Sequence, residues 1–128
     1  MKYQSVRFHE FGAPANVLSY ETEENLTATP LKSGEVRVSI QFAPINPADL
    51  NYIQGNYGIR PSLPAVPGVE SAGVVTESSS EIISVGDQVI FIIRVGTWQS
   101  EVICDGDEVI VVPAIPAEQA SMLKVNPP

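Results

Sequence analysis

The alternation of apolar and polar residues along the chain predicts a protein built mainly from short β-strands. In residues 35–42, every second position is apolar and the positions between are polar. The apolar positions are Val36, Val38, Ile40 and Phe42, and the polar positions are Arg37, Ser39 and Gln41. This period of two predicts a strand with one buried and one exposed face. Valine and isoleucine dominate the apolar residues of the whole chain, and β-branched residues favour strands.

Similar patterns, separated by turn residues, predict five more strands and two short helices. The further strands are predicted over residues 2–8, 72–77, 88–93, 98–104 and 108–112. The first helix is predicted to begin at Asn46-Pro47-Ala48-Asp49, because asparagine caps helices, proline suits the first position and aspartate complements the helix dipole. It is predicted to end at Gly55, and a second helix to begin at Pro116. Many short strands with little helix indicate a compact β-barrel or sandwich.

Length and composition indicate one globular domain and disfavour several classes of partner. The chain has 128 residues, of which 44% are hydrophobic and 17% charged, so a single folded core is expected. With 15 acidic residues against 7 basic ones, the net charge is −8, which disfavours nucleic acids and anionic membranes as partners. No apolar run approaches the ~20 residues that a membrane-spanning helix needs.

The cysteine content and the first residues of the chain indicate the cellular compartment of the protein. The single cysteine, Cys104, excludes an internal disulfide, and one cysteine with one histidine cannot form a zinc cage. The first residues carry charges and no apolar run, so we predict no secretory leader and a cytoplasmic location. The mitochondrial matrix is the alternative, if a leader has been removed.

Two glycine-containing segments carry a resemblance to a known superfamily. Residues 68–75 read Gly-Val-Glu-Ser-Ala-Gly-Val-Val, and residues 85–89 read Val-Gly-Asp-Gln-Val. This pair resembles the signature of the medium-chain dehydrogenases/reductases. The resemblance implies the N-terminal domain of such an enzyme, which is a mainly β, GroES-like, partly open β-barrel with a few short helices.

Two positions depart from the zinc-dependent members of that superfamily. Zinc alcohol dehydrogenases place a histidine before the signature glutamate and a cysteine in the helix-start motif. Here those positions hold Val69 and Asn46. Valine cannot bind a metal and an amide is a poor zinc ligand, so we expect no metal site and no zinc chemistry.

A longer set of motifs resembles the 2-enoyl thioester reductases of fatty-acid synthesis. The motifs cover residues 45–51, 53–58 and 63–66, with shorter matches at 96–98 and 125–127. The resemblance implies transfer of a hydride from NADPH to the C=C bond of a 2-enoyl thioester, without zinc. Quinone reductases share part of these motifs, so reduction of a quinone or another conjugated carbonyl is the alternative. A non-catalytic GroES-like binding module is a third interpretation.

The resemblance also implies roles for individual residues. Tyr57 corresponds to the proton donor, and a phenol is a suitable acid for a carbon that gains enolate character. Asn126 corresponds to a residue that contacts the nicotinamide cofactor. Asn46 is a second candidate for a cofactor contact, although its position also suits a helix cap. Trp98 is a candidate substrate-binding residue, with packing as the alternative, and Glu70 is predicted to be a structural carboxylate.

The same resemblance divides the chain and implies a further domain outside it. Residues 1–115 correspond to the GroES-like catalytic (substrate) domain, and residues 116–128 to the start of the connection to a dinucleotide-binding domain. No Gly-x-Gly-x-x-Gly motif, which forms the pyrophosphate-binding turn of such domains, occurs in the chain. We therefore expect NADPH to be bound mainly by the missing domain and this chain alone to be inactive. The full-length protein is expected to be a homodimer.

Overall fold

The computed structural model describes residues 2–24, 29–56, 58, 60–92, 96–113 and 115–122, and this part of the chain is mainly β, as predicted. The strands are β1 (Lys2–Phe8), β2 (Leu18–Glu24), β3 (Glu35–Phe42), β4 (Ala72–Ser78), β5 (Gln88–Phe91), β6 (Glu101–Asp105) and β7 (Val109–Val111). The helices are α1 (Pro14–Val17), α2 (Pro47–Gln54) and α3 (Ala117–Ala120), with a 3₁₀ turn at Gly106–Glu108. None of the helices described here is long and apolar enough to cross a membrane.

The strands form two antiparallel sheets. The larger sheet has five strands in the order β6–β3–β4–β5–β7, and the smaller sheet pairs β1 with β2. In the larger sheet, Val38 lies opposite Val75 on one side and Val102 on the other. An isolated bridge between Phe8 and Ala65 ties β1 to the loop that follows α2. Within the described ranges neither sheet closes on itself, so the predicted barrel takes an open form.

Three apolar clusters fill the interior. The largest lies on the five-stranded sheet and consists of Val36, Val38, Val75, Ile83, Val89, Phe91, Val102, Cys104 and Val109. The second joins β1 to α2 and consists of Phe8, Tyr52, Ile53 and Ala65. The third consists of Ala72, Val112 and Ala120. The second cluster matters most for the site, because it fixes α2 against β1.

The helix α2 begins and ends where the sequence predicts. Asn46 is its N-cap, Pro47 is its first residue, and Asn46 forms a capping box with Asp49. Gly55 ends the helix with φ 78°, a left-handed conformation that glycine adopts without strain. A Cβ at this position would also lie 3.0 Å from Cγ of Phe11. Backbone conformation and close packing therefore both favour glycine here.

The alternation predicted for residues 35–42 is wrong at two positions. Arg37, predicted on the exposed face, is buried, whereas Phe42, predicted on the buried face, is exposed. Arg37 can be buried because its guanidinium pairs with Glu77 on β4 and with Glu101 on β6, each at 2.9 Å. Phe42 turns outward because the register of β3 against β4 shifts between Ile40 and Phe42.

Other boundaries differ from the predicted ones. The pattern does not predict β2, whose sequence is largely polar and which is formed by pairing along its whole length with β1. The strand predicted over residues 98–104 begins at Glu101, because Trp98 instead bonds to a neighbouring loop. The strand predicted over residues 88–93 ends at Phe91, and its last predicted residue lies outside the described part.

Candidate functional site

Two loops cross in close contact beside the candidate site. One carries Pro67 and Gly68, and the other carries Thr97 and Trp98. The backbone N–H of Trp98 donates to the carbonyl oxygen of Pro67 at 3.0 Å. Gly68 has φ 115°, and a Cβ there would lie 2.7 Å from the backbone nitrogen of Thr97 and closer still to its Oγ1. The Thr97 hydroxyl in turn donates to the backbone oxygen of Glu70 at 2.9 Å. The approach of the two loops therefore requires glycine at position 68.

A buried polar cluster lies next to this crossing. Asn46 is 3% exposed and Glu70 is 1% exposed. Nδ2 of Asn46 donates to Oε1 of Glu70 at 3.0 Å, and the backbone N–H of Asn46 donates to Oδ2 of Asp49 at 2.9 Å. Asn46 thus links two buried carboxylates. It ties the start of α2 to Glu70, which lies in the signature segment, residues 68–75. Its cap role is confirmed, and Glu70 holds it in place.

This cluster has two carboxylates but not the complete set of ligands that a zinc site needs. Val69 offers no side-chain donor, and the amide of Asn46 points a nitrogen at Glu70. Zinc prefers thiolate, imidazole and carboxylate ligands, usually four of them. Among the described residues, no group of three or more His, Cys, Asp or Glu side chains is placed to hold a metal ion. The residues present do not fit zinc, and zinc independence of the full-length protein stays a prediction.

Trp98 lines an open apolar groove of about 410 Å³. The groove residues are Val6, Ile40, Ala43, Ile45, Thr97, Trp98 and Gln99. Trp98 also packs against the second apolar cluster, and its indole nitrogen is buried with no hydrogen-bond partner among the described residues. Its position therefore suits both predicted roles, packing and substrate contact, and the substrate contact stays a prediction.

Two of the four predicted site residues, Tyr57 and Asn126, lie outside the described residues. The described residues on either side of Tyr57 are anchored at the end of α2. Nη2 of Arg60 donates to the backbone oxygen of Gly55 at 3.1 Å, and its guanidinium lies 4.9 Å from the ring centroid of Phe11. The described residues Gly55 and Arg60, which flank Tyr57 in the sequence, are therefore bonded to each other at the end of α2.

The structure brings Asn46 and Trp98 to one region, because Ile45 precedes Asn46 and lines the groove with Trp98. The sequence pattern did not predict the bond between Asn46 and Glu70 or the groove itself. The sequence did contain a signal for the groove, because its lining residues Ile45 and Thr97 lie inside motifs that carry the resemblance. Asn46 is almost completely buried and its amide donates to Glu70, and its contact with a cofactor stays a prediction.

Comparison with known proteins identifies relatives over nearly the whole chain. The family model of the alcohol dehydrogenase GroES-like domain matches residues 32–122. The chain is 39% identical over 130 residues to the mitochondrial enoyl-[acyl-carrier-protein] reductase of Bos taurus, covering 98% of this chain and 34% of that protein. The chain spans about a third of the length of the curated relatives it matches.

Two solved structures show the same fold. The mitochondrial 2-enoyl thioester reductase heterodimer of Candida tropicalis matches with a TM-score of 0.89 and 26% identity, covering 98% of this chain and 41% of that chain. A putative NADPH:quinone reductase from Bacillus thuringiensis matches with a TM-score of 0.85 and 34% identity, covering 98% of this chain and 38% of that chain. The resemblance implied by the sequence motifs is confirmed at the level of the superfamily.

Proposed function

Because this chain belongs to the alcohol dehydrogenase GroES-like domain family of the medium-chain dehydrogenases/reductases, we propose that it is the substrate domain of an NADPH-dependent 2-enoyl thioester reductase. The observation that carries the proposal is 39% identity over 98% of the chain to a mitochondrial enoyl-[acyl-carrier-protein] reductase. In this proposal residues 1–115 form the substrate domain and residues 116–128 lead into a dinucleotide-binding domain. The full-length protein would act as a homodimer in the mitochondrial matrix.

The proposed reaction adds a hydride and a proton across the C=C bond of the thioester. NADPH, when bound, supplies the hydride for the β-carbon. Tyr57 is proposed to donate the proton to the α-carbon, where negative charge accumulates as the hydride arrives. The resemblance of residues 53–58 to the motif of the 2-enoyl thioester reductases supports this role. Asn126 is proposed to contact the cofactor.

Asn46 and Glu70 are proposed to position this site without a metal. The bond between them, at 3.0 Å, ties the start of α2 to the loop that also carries Gly68. In this arrangement Asn46 supports α2, the helix that leads into the Tyr57 segment. The zinc alkoxide chemistry of the alcohol dehydrogenases would have no ligands here. Treatment of the full-length protein with a chelator is therefore expected to leave its turnover unchanged.

A second candidate function is reduction of quinones, favoured by the 34% identity to the putative NADPH:quinone reductase from Bacillus thuringiensis. The two candidates are separated by assaying NADPH oxidation by the full-length protein with crotonyl-CoA and with a benzoquinone, side by side. The proposal predicts that kcat/KM for the thioester exceeds that for the quinone at least tenfold. The opposite preference would replace it with the second candidate, and no oxidation with either substrate would contradict both.

A further inference from the structure

Arg60 is an exposed arginine that two contacts hold at the end of α2. Its Nη2 donates to the backbone oxygen of Gly55 at 3.1 Å, and its guanidinium lies 4.9 Å from the ring centroid of Phe11. A guanidinium has five N–H donors, and the bond to Gly55 uses one of them. In the part of the chain that the structure describes, no carboxylate forms an ion pair with Arg60. The side chain is therefore held in place and can still bind an anion.

The other described cations do not offer such a position. Arg37 is buried and paired with two glutamates, and Arg7 donates to two hydroxyl groups of β1. Lys32 is exposed, but it precedes the first residue of β3, whereas the candidate site begins beyond its last residue. The eight residues of β3 span about 24 Å. In a chain with a net charge of −8, an anion needs a local cation to bind, and Arg60 supplies one.

The sequence keeps Arg60 close to the proposed proton donor. Tyr57 precedes Arg60 by three residues, and three residues of chain span at most about 11 Å. A substrate longer than this that reacts beside Tyr57 can therefore also contact the guanidinium. The planar fork of an arginine binds phosphate through two parallel hydrogen bonds, and a side chain that is already held in place loses less entropy when it binds.

Resting on the proposed function, we propose that Arg60 binds a phosphate group of the carrier that holds the acyl thioester, so that phosphorylated substrates are preferred. Coenzyme A and an acyl carrier protein both present the acyl group on a pantetheine arm that ends in a phosphate. A thioester without this phosphate lacks the contact, and so does a quinone. A phosphate contact at Arg60 therefore favours the thioester over the quinone as substrate.

The inference is tested with the full-length protein and its Arg60→Gln variant on three crotonyl thioesters. Those of coenzyme A and of 4′-phosphopantetheine carry phosphate, and that of N-acetylcysteamine does not. Because a charge-assisted hydrogen bond is lost, KM for a phosphorylated thioester should rise about tenfold more than KM for the N-acetylcysteamine thioester. A rise for both phosphorylated thioesters places the bound phosphate on the pantetheine arm, and a rise for coenzyme A alone places it on the nucleotide. Equal changes for all three, or none, would overturn the inference.

Two further variants separate phosphate binding from other effects of the lost charge. Lys32→Gln is the matched control, because it also removes one exposed positive charge, and it should leave all three KM values within about twofold of the wild type. Arg60→Lys keeps the charge but not the fork, so it should raise KM for the phosphorylated thioesters by a smaller factor, and it serves if Arg60→Gln does not fold. An equal effect of Lys32→Gln, or a raised KM for NADPH alone in the Arg60 variants, would overturn the inference.

Direct binding separates this inference from the proposed function. Calorimetry with NADP⁺ present, which supplies no hydride, measures Kd for crotonyl-CoA, and Arg60→Gln should raise it about tenfold. A wild-type protein that reduces crotonyl-CoA, but whose variant binds it equally tightly, would keep the proposed function and overturn the inference. Binding that depends on Arg60, without reduction of any enoyl thioester, would keep the phosphate contact and overturn the proposed function.

Discussion

Replacing Gly68 with alanine tests the close crossing of the two loops that frames the site. The added Cβ would lie 2.7 Å from the backbone nitrogen of Thr97 and 2.7 Å from Cδ1 of Trp98. Three costs follow: about 1–2 kcal/mol for a non-glycine residue at positive φ, about 1–3 kcal/mol for overpacking, and about 0.5–1.5 kcal/mol if the bond from Thr97 to Glu70 is lost. We expect the free energy of unfolding to fall by about 3–6 kcal/mol, a large part of the ~5–15 kcal/mol typical of a domain.

Gly86→Ala is the matched control for this prediction. Gly86 has φ 95°, but a Cβ there would meet no atom within 4 Å, so only the conformational cost applies. Urea unfolding of both variants, followed by Trp98 fluorescence and circular dichroism, measures the two free energies. The steric contribution at Gly68 should appear as an extra loss of about 2–4 kcal/mol. A difference within about 0.5 kcal/mol would refute the argument that the crossing requires glycine.

Two further predictions concern buried groups of the large sheet. Arg37→Met should lower the free energy of unfolding by about 2–4 kcal/mol, because it removes the guanidinium that faces Glu101 and Glu77; unchanged urea unfolding would show that this network contributes nothing. Burial raises the pKa of the Cys104 thiol to about 12 from 9.0, and nearby carboxylates add to the shift. The folded state keeps the thiol neutral, so stability should fall as pH rises above 9, by about 1–2 kcal/mol between pH 8.5 and 10.5. Cys104→Val should lack this loss, and identical pH profiles of the two proteins would contradict it.

The elements that the sequence predicted correctly are those with local signals. The helix α2 has its cap, its first proline and its terminal glycine within ten residues, so each boundary is encoded next to the helix itself. The strand β1 likewise matches its predicted bounds, Lys2–Phe8. In α2, local hydrogen bonds and backbone preferences decide these positions, and both can be recognised from neighbouring residues, whereas β1 is held by bonds to β2 and to Ala65 and Trp98.

The features that the sequence could not predict depend on residues far apart in the chain. Arg37 is buried only because Glu77 and Glu101 arrive on both neighbouring strands, 40 and 64 residues away. The bond from Asn46 to Glu70 joins positions 24 residues apart. Such pairs follow from strand order and register, which the pattern of a single strand does not contain. The groove is likewise a product of tertiary packing.

The most direct test of the proposed function is the turnover of the full-length Tyr57→Phe variant with an enoyl thioester and NADPH. This change removes one hydroxyl and keeps the ring, so stability should change by no more than about 1 kcal/mol. If Tyr57 donates the proton in the rate-limiting step, turnover should fall by about 10²–10⁴ while the melting temperature stays close to that of the wild type. A loss of turnover of no more than about threefold would be far smaller than the contribution expected of a positioned acid. This result would contradict the proposed role of Tyr57.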